Sequence, residues 1–327
     1  MENNYEAFIC QATSSTKVLH KEDIQPLWSD YGVLSRYLLQ EGDYSSVIVK
    51  RVFLKKANEE HPQGWNTNAS HQRKLKSYEV EFNWYKEYAN LCDENCVIPG
   101  YIDSMISPTE RILIMEDLDT KGFNKRKSTV NFSEIEACLK WLAEFHAKFM
   151  NRSTAGLWHK GSYWYLQTRM DEYEAMQDLE LKEVAYEIDQ VLDNCQYKTI
   201  IHGDAKLANF CFSNDGNYVA AVDFQYVGGG CGIKDVAYFL SSCLTEDQLI
   251  NNEKQLLKLY FNQLEVSLSK ESLSIDIQKV MNEWSELYDY AWADFYRFLD
   301  GWSPTHWKIH RYSEQIRNRV IESFKAS

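Results

Sequence analysis

The chain has 327 residues, 44% of them hydrophobic and 25% charged, with a formal net charge of -13. That length exceeds one ordinary core and suffices for two lobes, and the balance is that of a soluble globular protein. The acidity excludes nucleic acid as a natural partner, and no apolar run approaches the length of a membrane span.

Met1-Glu2-Asn3-Asn4-Tyr5 lacks the basic and apolar regions of a secretory signal. The eight cysteines fall at scattered spacings. Cys92 and Cys96 have no second His or Cys pair to complete a zinc pattern. A cytoplasmic protein with reduced thiols is therefore expected, as a monomer or weak dimer. The negative charge would steer a cationic small molecule favourably, although solubility alone would account for it.

Residues up to about 25 carry no clear pattern. Residues 28–39 read as extended chain with a turn at Gly32, and Glu41-Gly42-Asp43 is a second turn. Residues 47–52 form a β-branched strand that contains Lys50. Residues 53–77 are polar and read as an exposed loop, with His61-Pro62-Gln63-Gly64 at its middle. Val80, Trp84, Tyr88 and Leu91 recur at helical spacing and predict a helix over about 71–91. Residues 97–102 and 111–115 look like strands, and Glu116-Asp117-Leu118 follows them. Ser133-x-x-Glu136 reads as a capping box. Ile135, Leu139, Leu142, His146 and Phe149 then share one stripe of a long buried helix, with His146 as a core histidine bonded to nearby backbone. Residues 158–165 are aromatic-rich and suited to a pocket border. Leu181, Val184, Ile188 and Leu192 predict a helix over 172–194.

The stretch with the most chemistry is Ile200-Ile201-His202-Gly203-Asp204-Ala205-Lys206-Leu207-Ala208-Asn209-Phe210, read with Val222-Asp223-Phe224-Gln225. Between them an apolar run, an Asp215-Gly216 turn and a second apolar run predict a β-hairpin. Folding about that turn places position 209 opposite 222. Asn209 and Asp223 then meet at the open end of the hairpin, with Asp204 on the loop before it. These are hard oxygen donors, which Mg²⁺ takes beside substrate phosphates. In kinase-type phosphoryl transfer one Asp accepts the hydroxyl proton, while an Asn and a second Asp hold the metal. The step of five residues from Asp204 to Asn209 equals that of H-R-D-x-x-x-x-N, with Gly203 in place of Arg. His202 is expected to brace this loop through its ring.

The cluster Gly228-Gly229-Gly230-Cys231-Gly232 fits neither G-x-G-x-x-G after a strand nor a Walker A motif. Asp235 reads as the N-cap of a helix. The remainder is helical, with Leu249, Leu256, Leu257, Tyr260 and Leu264 on one stripe. The aromatic residues crowded between Trp284 and Trp307 are mostly core, and some border a pocket. Asp294 and Asp300 are candidate substrate carboxylates.

The pattern His-Gly-Asp, Asn and Asp-Phe resembles the kinase-like small-molecule phosphotransferases, a superfamily that includes aminoglycoside phosphotransferases and choline kinases. With Glu116-Asp117-Leu118 and Asp223-Phe224-Gln225 it most resembles the ecdysteroid-kinase-like group, from about Val47 to Leu240. The resemblance implies an α+β, two-lobed protein-kinase-like fold: a small antiparallel β-sheet N-lobe over 1–117 and a mainly helical C-lobe over 118–327. It implies ATP and Mg²⁺ as cofactors and a small-molecule hydroxyl as acceptor. Asp204 would be the catalytic base, Lys206 a cation for the γ-phosphate, and Asn209 and Asp223 the metal ligands. Lys50 would reach the nucleotide phosphates, with Arg51 and Lys55 as competing cations. Glu81 would hold Lys50, with Glu79 as the alternative. Met115 would border adenine, and Glu116 to Leu118 would offer it backbone amides. Gly32, Ser29 and Ser35 would take the place of a glycine-rich phosphate loop. The glycine cluster would be a flexible segment at the activation-loop position, and Asp235 a structural acid tied to the catalytic loop. The rival reading is a catalytically silent nucleotide-binding protein of this fold, acting as sensor or scaffold. A protein kinase fits less well, because Ala-Pro-Glu is absent and Gly203 replaces Arg.

Overall fold

The computed structural model describes residues 2–27, 31–54 and 67–325. The expectations for Ser29, Lys55 and 61–64 lie outside the described residues.

Two elements precede the first predicted strand: helix α1 (Glu2–Thr13) and strand β1 (Lys17–Pro26). β1 is an edge strand, exposed almost throughout, and it carries His20, Lys21, Glu22 and Asp23. Charge on an edge discourages pairing with other chains, and it also erases the apolar alternation that marks a strand in sequence. β2 (Gly32–Gln40), β3 (Ser46–Phe53), helix α2 (Thr67–Glu87), β4 (Tyr101–Ile106) and β5 (Glu110–Glu116) complete the first lobe. The sheet is antiparallel, in the order β1-β2-β3-β5-β4.

Both faces of this sheet are covered, and the period of two sorts its side chains. Val47, Val49, Ile112 and Ile114 pack with Ile9 of α1. Val52, Leu113 and Met115 join the main core, which includes Tyr78 of α2. Lys50 shares parity with Val52 and lies opposite Leu34 and Leu113. It therefore points to the side where α2 lies.

α2 begins at Thr67, ahead of the start expected near His71 and inside the stretch read as loop, because His71 and Tyr78 are buried and pack against Tyr31. The strand expected at 97–102 begins only at Tyr101. The Val97 carbonyl is committed instead to the Ala221 N–H and the Trp141 indole.

The second lobe opens with α3 (Phe132–Lys148). Its capping box is formed by Asn131 and Glu134, two residues before the predicted pair: Glu134 N–H donates to Asn131 Oδ1 at 3.0 Å, and Asn131 N–H to Glu134 Oε2 at 2.9 Å. The helix expected over 172–194 is three short ones: α4 (Met170–Glu174), α5 (Leu179–Glu183) and α6 (Ala185–Asp193). The break has a cause. Asp178 caps α5, and the Asp300 carboxylate accepts the N–H groups of Gln177 and Asp178 at 2.7 and 2.8 Å, which lie between helices.

β6 (Thr199–Ile201), β7 (Phe210–Phe212), β8 (Val219–Ala221) and β9 (Gly228–Gly230) follow, then α7 (Ile233–Cys243), α8 (Glu246–Lys270), α9 (Ile277–Glu286), α10 (Tyr288–Trp302) and α11 (Arg311–Lys325). The glycine cluster is not a flexible segment. Gly228–Gly230 pairs with β6, and the chain at 158–161 presses against it. A Cβ at Gly228 would lie 2.2 Å from the Trp158 carbonyl oxygen, so only glycine permits the approach. Among the described residues no helix is long and apolar enough to cross a membrane.

Candidate active site

β7 and β8 pair as a hairpin with Phe210 opposite Ala221. Asn209 and Val222 continue the ladder, the Val222 N–H donating to the Asn209 carbonyl at 3.0 Å. Asn209 and Asp223 thus stand side by side at the hairpin's open end. The loop from β6 brings Asp204 to them: Asn209 Nδ2 donates to the Asp204 carbonyl at 2.8 Å and to its Oδ2 at 3.1 Å.

What shapes this loop lies 33 residues beyond His202. The Asp235 carboxylate, fully buried, accepts the N–H of His202 at 2.6 Å and that of Gly203 at 2.9 Å. Asp235 sits within the first turn of α7, whose N-cap is Gly232, so it is not the N-cap. His146 joins the same network through Asp235 at 3.1 Å and the Tyr260 hydroxyl at 2.9 Å. Its ring is bonded to side chains, not to the backbone its helical position suggested. His202 braces the loop: its Nε2 bonds the Val222 carbonyl at 3.0 Å and its Nδ1 accepts the Asp204 N–H at 3.2 Å.

Gly203 has φ +75°, and a Cβ there would lie 2.1 Å from the Tyr226 carbonyl oxygen. That close approach is why glycine stands where a protein kinase has arginine. Gly203→Ala should destabilise the protein by about 1–3 kcal/mol from backbone strain alone, read as a lowered urea midpoint. An unchanged midpoint would show that the loop relaxes without cost.

Asp223 has φ +69°, an unusual conformation for a residue with a side chain. Phe224 holds it there. Its fully buried ring stacks on Trp84 of α2 at 4.7 Å between centroids and lies 4.6 Å from the His202 ring. The Asp223 carboxylate faces Lys50, with Nζ to Oδ1 3.6 Å, and accepts Gln225 Nε2 at 2.7 Å. Burial alone would raise its pKa, but the charges of Lys50 and Lys206 outweigh this and hold it below the usual range.

Lys50 is paired with Glu81 at 2.6 Å, and both are buried. Glu79 is engaged elsewhere, with Lys76 at 3.3 Å. Arg51 points to the opposite face of the sheet and binds Glu110 at 2.8 Å. Burial would lower the Lys50 pKa, but Glu81 and Asp223 reverse that and keep the ammonium charged. In the linker, Met115 is buried, and Leu118 packs on Cys211 and Ala220 of the hairpin. The Glu116 N–H donates to the Gly100 carbonyl at 2.9 Å and is not available to a ligand. Ser35 is buried and donates to Asp23 at 2.6 Å, away from any phosphate role.

These elements, in this order, frame the comparison with known proteins. The sequence model of the ecdysteroid kinase-like family matches residues 41–157 and 158–272, well over half of the chain. The chain belongs to the ecdysteroid kinase-like family. Choline kinase LicA from Streptococcus pneumoniae is similar in structure, with a TM-score of 0.52 over 100% of this chain and 99% of that one at 13% identity. A microcompartment-associated aminopropanol kinase gives 0.48 at 14% identity, covering 97% and 93%. An ethanolamine kinase from Plasmodium vivax gives 0.48 at 11% identity, covering 94% and 84%. No curated protein matches the chain. At such identities the likeness to LicA is one of fold, and the fold of this family member is the two-lobed kinase-like one: a five-stranded antiparallel sheet followed by a mainly helical lobe.

Asp204 itself is the most telling group. Its Oδ2 is fixed by Asn209 and by Lys206 Nζ at 2.9 Å. Its Oδ1 is buried and takes no hydrogen bond of ordinary geometry from the described residues, while the Tyr238 hydroxyl lies close enough to the carboxylate for the two to interact. Burial raises its pKa, opposed by Lys206. Burial would lower that of Lys206, but Asp204 overrides it and holds the ammonium charged.

Near Asp204 stand Tyr163, from the aromatic stretch 158–165, and two groups the sequence did not single out, Tyr238 and Lys308. Tyr238 is buried and Tyr163 half-buried, with ring centroids 5.4 Å apart, and the Asp204 charge helps desolvation push both phenols up. Lys308 lies over the Tyr238 ring. No periodicity or motif marks Lys308, which follows α10 in an irregular turn.

The two candidate substrate carboxylates are structural. Asp294 is enclosed by Lys234 at 3.1 Å, Arg297 at 2.8 Å and the Trp164 indole at 2.9 Å. Asp300 is the acid that holds the break before α5.

Proposed function

We propose that this protein transfers the γ-phosphate of Mg·ATP to the hydroxyl of a small molecule. The observation that carries the reading is the state of Asp204: one carboxylate oxygen locked by Lys206 and Asn209, the other buried and unbonded, with a raised pKa. A general base needs such a free lone pair in a dry site, within reach of the proton it takes. The acceptor oxygen forms its bond to the γ-phosphorus as the bond to the β–γ bridging oxygen breaks. The hydroxyl proton passes to Asp204 Oδ1, and ADP leaves with the bridging oxygen.

Residues 1–117 would form the nucleotide lobe and 118–327 the catalytic and acceptor lobe. Lys50, aligned by Glu81, would meet the nucleotide phosphates. Met115 would border adenine and the Leu118 backbone amide would meet it in this reading, and Lys206 would offset charge on the transferred group. Bound Mg²⁺ would neutralise the phosphates. Asn209 fits the ion because its amide nitrogen is spent on Asp204, which leaves its oxygen as donor beside the carboxylate of Asp223. Among the described residues no three His, Cys, Asp or Glu side chains converge as a metal cluster. Two protein oxygens completed by phosphates and water are what Mg²⁺ commonly uses.

Asp223→Ala should weaken Mg·ATP binding by about tenfold or more, a loss comparable to those at other metal-site residues. Calorimetric titration with ATP, with and without Mg²⁺, reads it. Binding equal to wild type would remove Asp223 from the metal site. Turnover of ATP against a panel of alcohols separates an enzyme from a silent nucleotide-binding sensor, which would bind Mg·ATP and transfer nothing.

A further inference from the structure

The net charge of the chain suggests a cationic acceptor, but the wall beside Asp204 carries the opposite sign. Lys308 is buried, and its Nζ lies 4.9 Å from the Tyr238 ring centroid, 5.1 Å from that of Phe295 and 5.6 Å from that of Trp307. Three aromatic faces about a cation form the kind of cage that would otherwise receive a ligand's ammonium group. Here the cage is filled by the protein's own lysine.

No carboxylate of the described residues lies within ion-pair reach of that ammonium. Its hydrogen-bond partner is the Ser241 hydroxyl at 3.4 Å, a long contact. The other cations of this wall are already matched: Arg169, which lies over Tyr163 and Phe298, with Glu172 at 3.1 Å, and Lys206 with Asp204 at 2.9 Å. A buried ammonium without an acid is costly to hold. Burial and the nearby charge of Lys206 push Lys308 down to about 8, while Asp204 and the Cys243 thiol, the acidic groups that oppose this, do not restore it. Lys308 also reaches the catalytic loop through α7: Ser241, which it touches, is followed by Ser242, whose hydroxyl accepts the Leu207 N–H at 2.8 Å.

The geometry points to Lys308 as the docking cation for an anionic group on the acceptor: a hydroxyl compound with an apolar body and a carboxylate, sulfate or phosphate, and not a quaternary amine. This rests on the phosphotransferase reading for the word acceptor, but not for the binding itself. The aromatic rings cover the apolar body, Asp204 Oδ1 meets the hydroxyl, and the acceptor's anion supplies the partner that Lys308 lacks.

Three matched probes test it by calorimetry in the presence of ADP and Mg²⁺: para-hydroxymethylbenzoate, its methyl ester, and para-hydroxymethylphenyl trimethylammonium. Wild type should bind the carboxylate about tenfold or more tightly than the ester, the gain of one charge-assisted hydrogen bond, and the cation least. Lys308→Met should abolish that preference, and Lys308→Arg should keep most of it. Lys308→Met should also raise the melting temperature, by about 2–4 °C, because it removes a buried charge that no carboxylate offsets. A merely structural lysine would lower it. Wild-type binding of the cation equal to or tighter than that of the carboxylate overturns the inference, as does failure of the carboxylate to bind at millimolar concentration, or a preference unchanged in Lys308→Met. Mg·ATP titration of the same samples reports separately on the phosphotransferase reading, so the two fail independently.

Discussion

Asp204→Asn should lower the rate of phosphoryl transfer by about 10²–10⁴-fold, the usual contribution of a positioned general base, and leave Mg·ATP affinity close to wild type. The amide keeps the shape of the side chain and its contact with Lys206, but it offers no basic lone pair to the acceptor hydroxyl. The nucleotide contacts assigned to Lys50, Asn209 and Asp223 do not pass through Oδ1, so binding and transfer should separate. Single-turnover kinetics with saturating ATP would measure the first quantity and calorimetry the second. The pH profile follows from the same group. The ionised carboxylate is the active form, and burial raises its pKa above that of a solvated aspartate. Transfer should therefore fall as pH drops through that raised pKa, and the acidic limb should vanish in Asp204→Asn. Wild-type turnover by the variant would remove Asp204 from the mechanism.

Asp294→Ala should cost about 3–5 kcal/mol of stability, the usual result of breaking a buried ion pair by removing one partner. The number follows from what remains. Lys234 and Arg297 are both buried and both directed at this one carboxylate, so its loss leaves two charges without a counterion. Since domains hold only about 5–15 kcal/mol in total, the variant should unfold at much lower urea or fail to accumulate. Burial alone would raise the Asp294 pKa, but Lys234 and Arg297 outweigh it and hold the carboxyl below its usual value. A depressed folded-state pKa gives stability that is present above the unfolded value and lost as pH falls through the folded one. Acid should therefore weaken wild type more than Asp294→Ala. Equal urea midpoints for the two proteins would contradict the role given to this acid.

Asp294 also shows where sequence reading stopped. It lies in an aromatic segment near the end of the chain, and as a string of letters it reads equally well as a substrate contact. The difference is made by Lys234 and Trp164, 60 and 130 residues away. The same holds for Glu81 over Glu79. Both lie on α2 two positions apart, and only the placement of α2 against β3 brings Glu81 to Lys50. β1 escaped because an exposed, charged edge strand carries no apolar period.

The hairpin behind Asp204, the meeting of Asn209 with Asp223 and the strand that carries Lys50 were legible in the sequence. Each depends on a turn, a period of two or a fixed short step along the chain, and local geometry allows few alternatives. The resemblance, and no spacing along the chain, named Glu81 for Lys50 and tied Asp235 to the catalytic loop; tertiary structure alone spent Asp294 and Asp300 inside the helical lobe and set Lys308 among rings beside Asp204. Those outcomes depend on which distant groups share a dry space. Desolvation and pairing across the fold decide whether a charge serves the architecture or waits for a ligand, and no spacing along the chain encodes that.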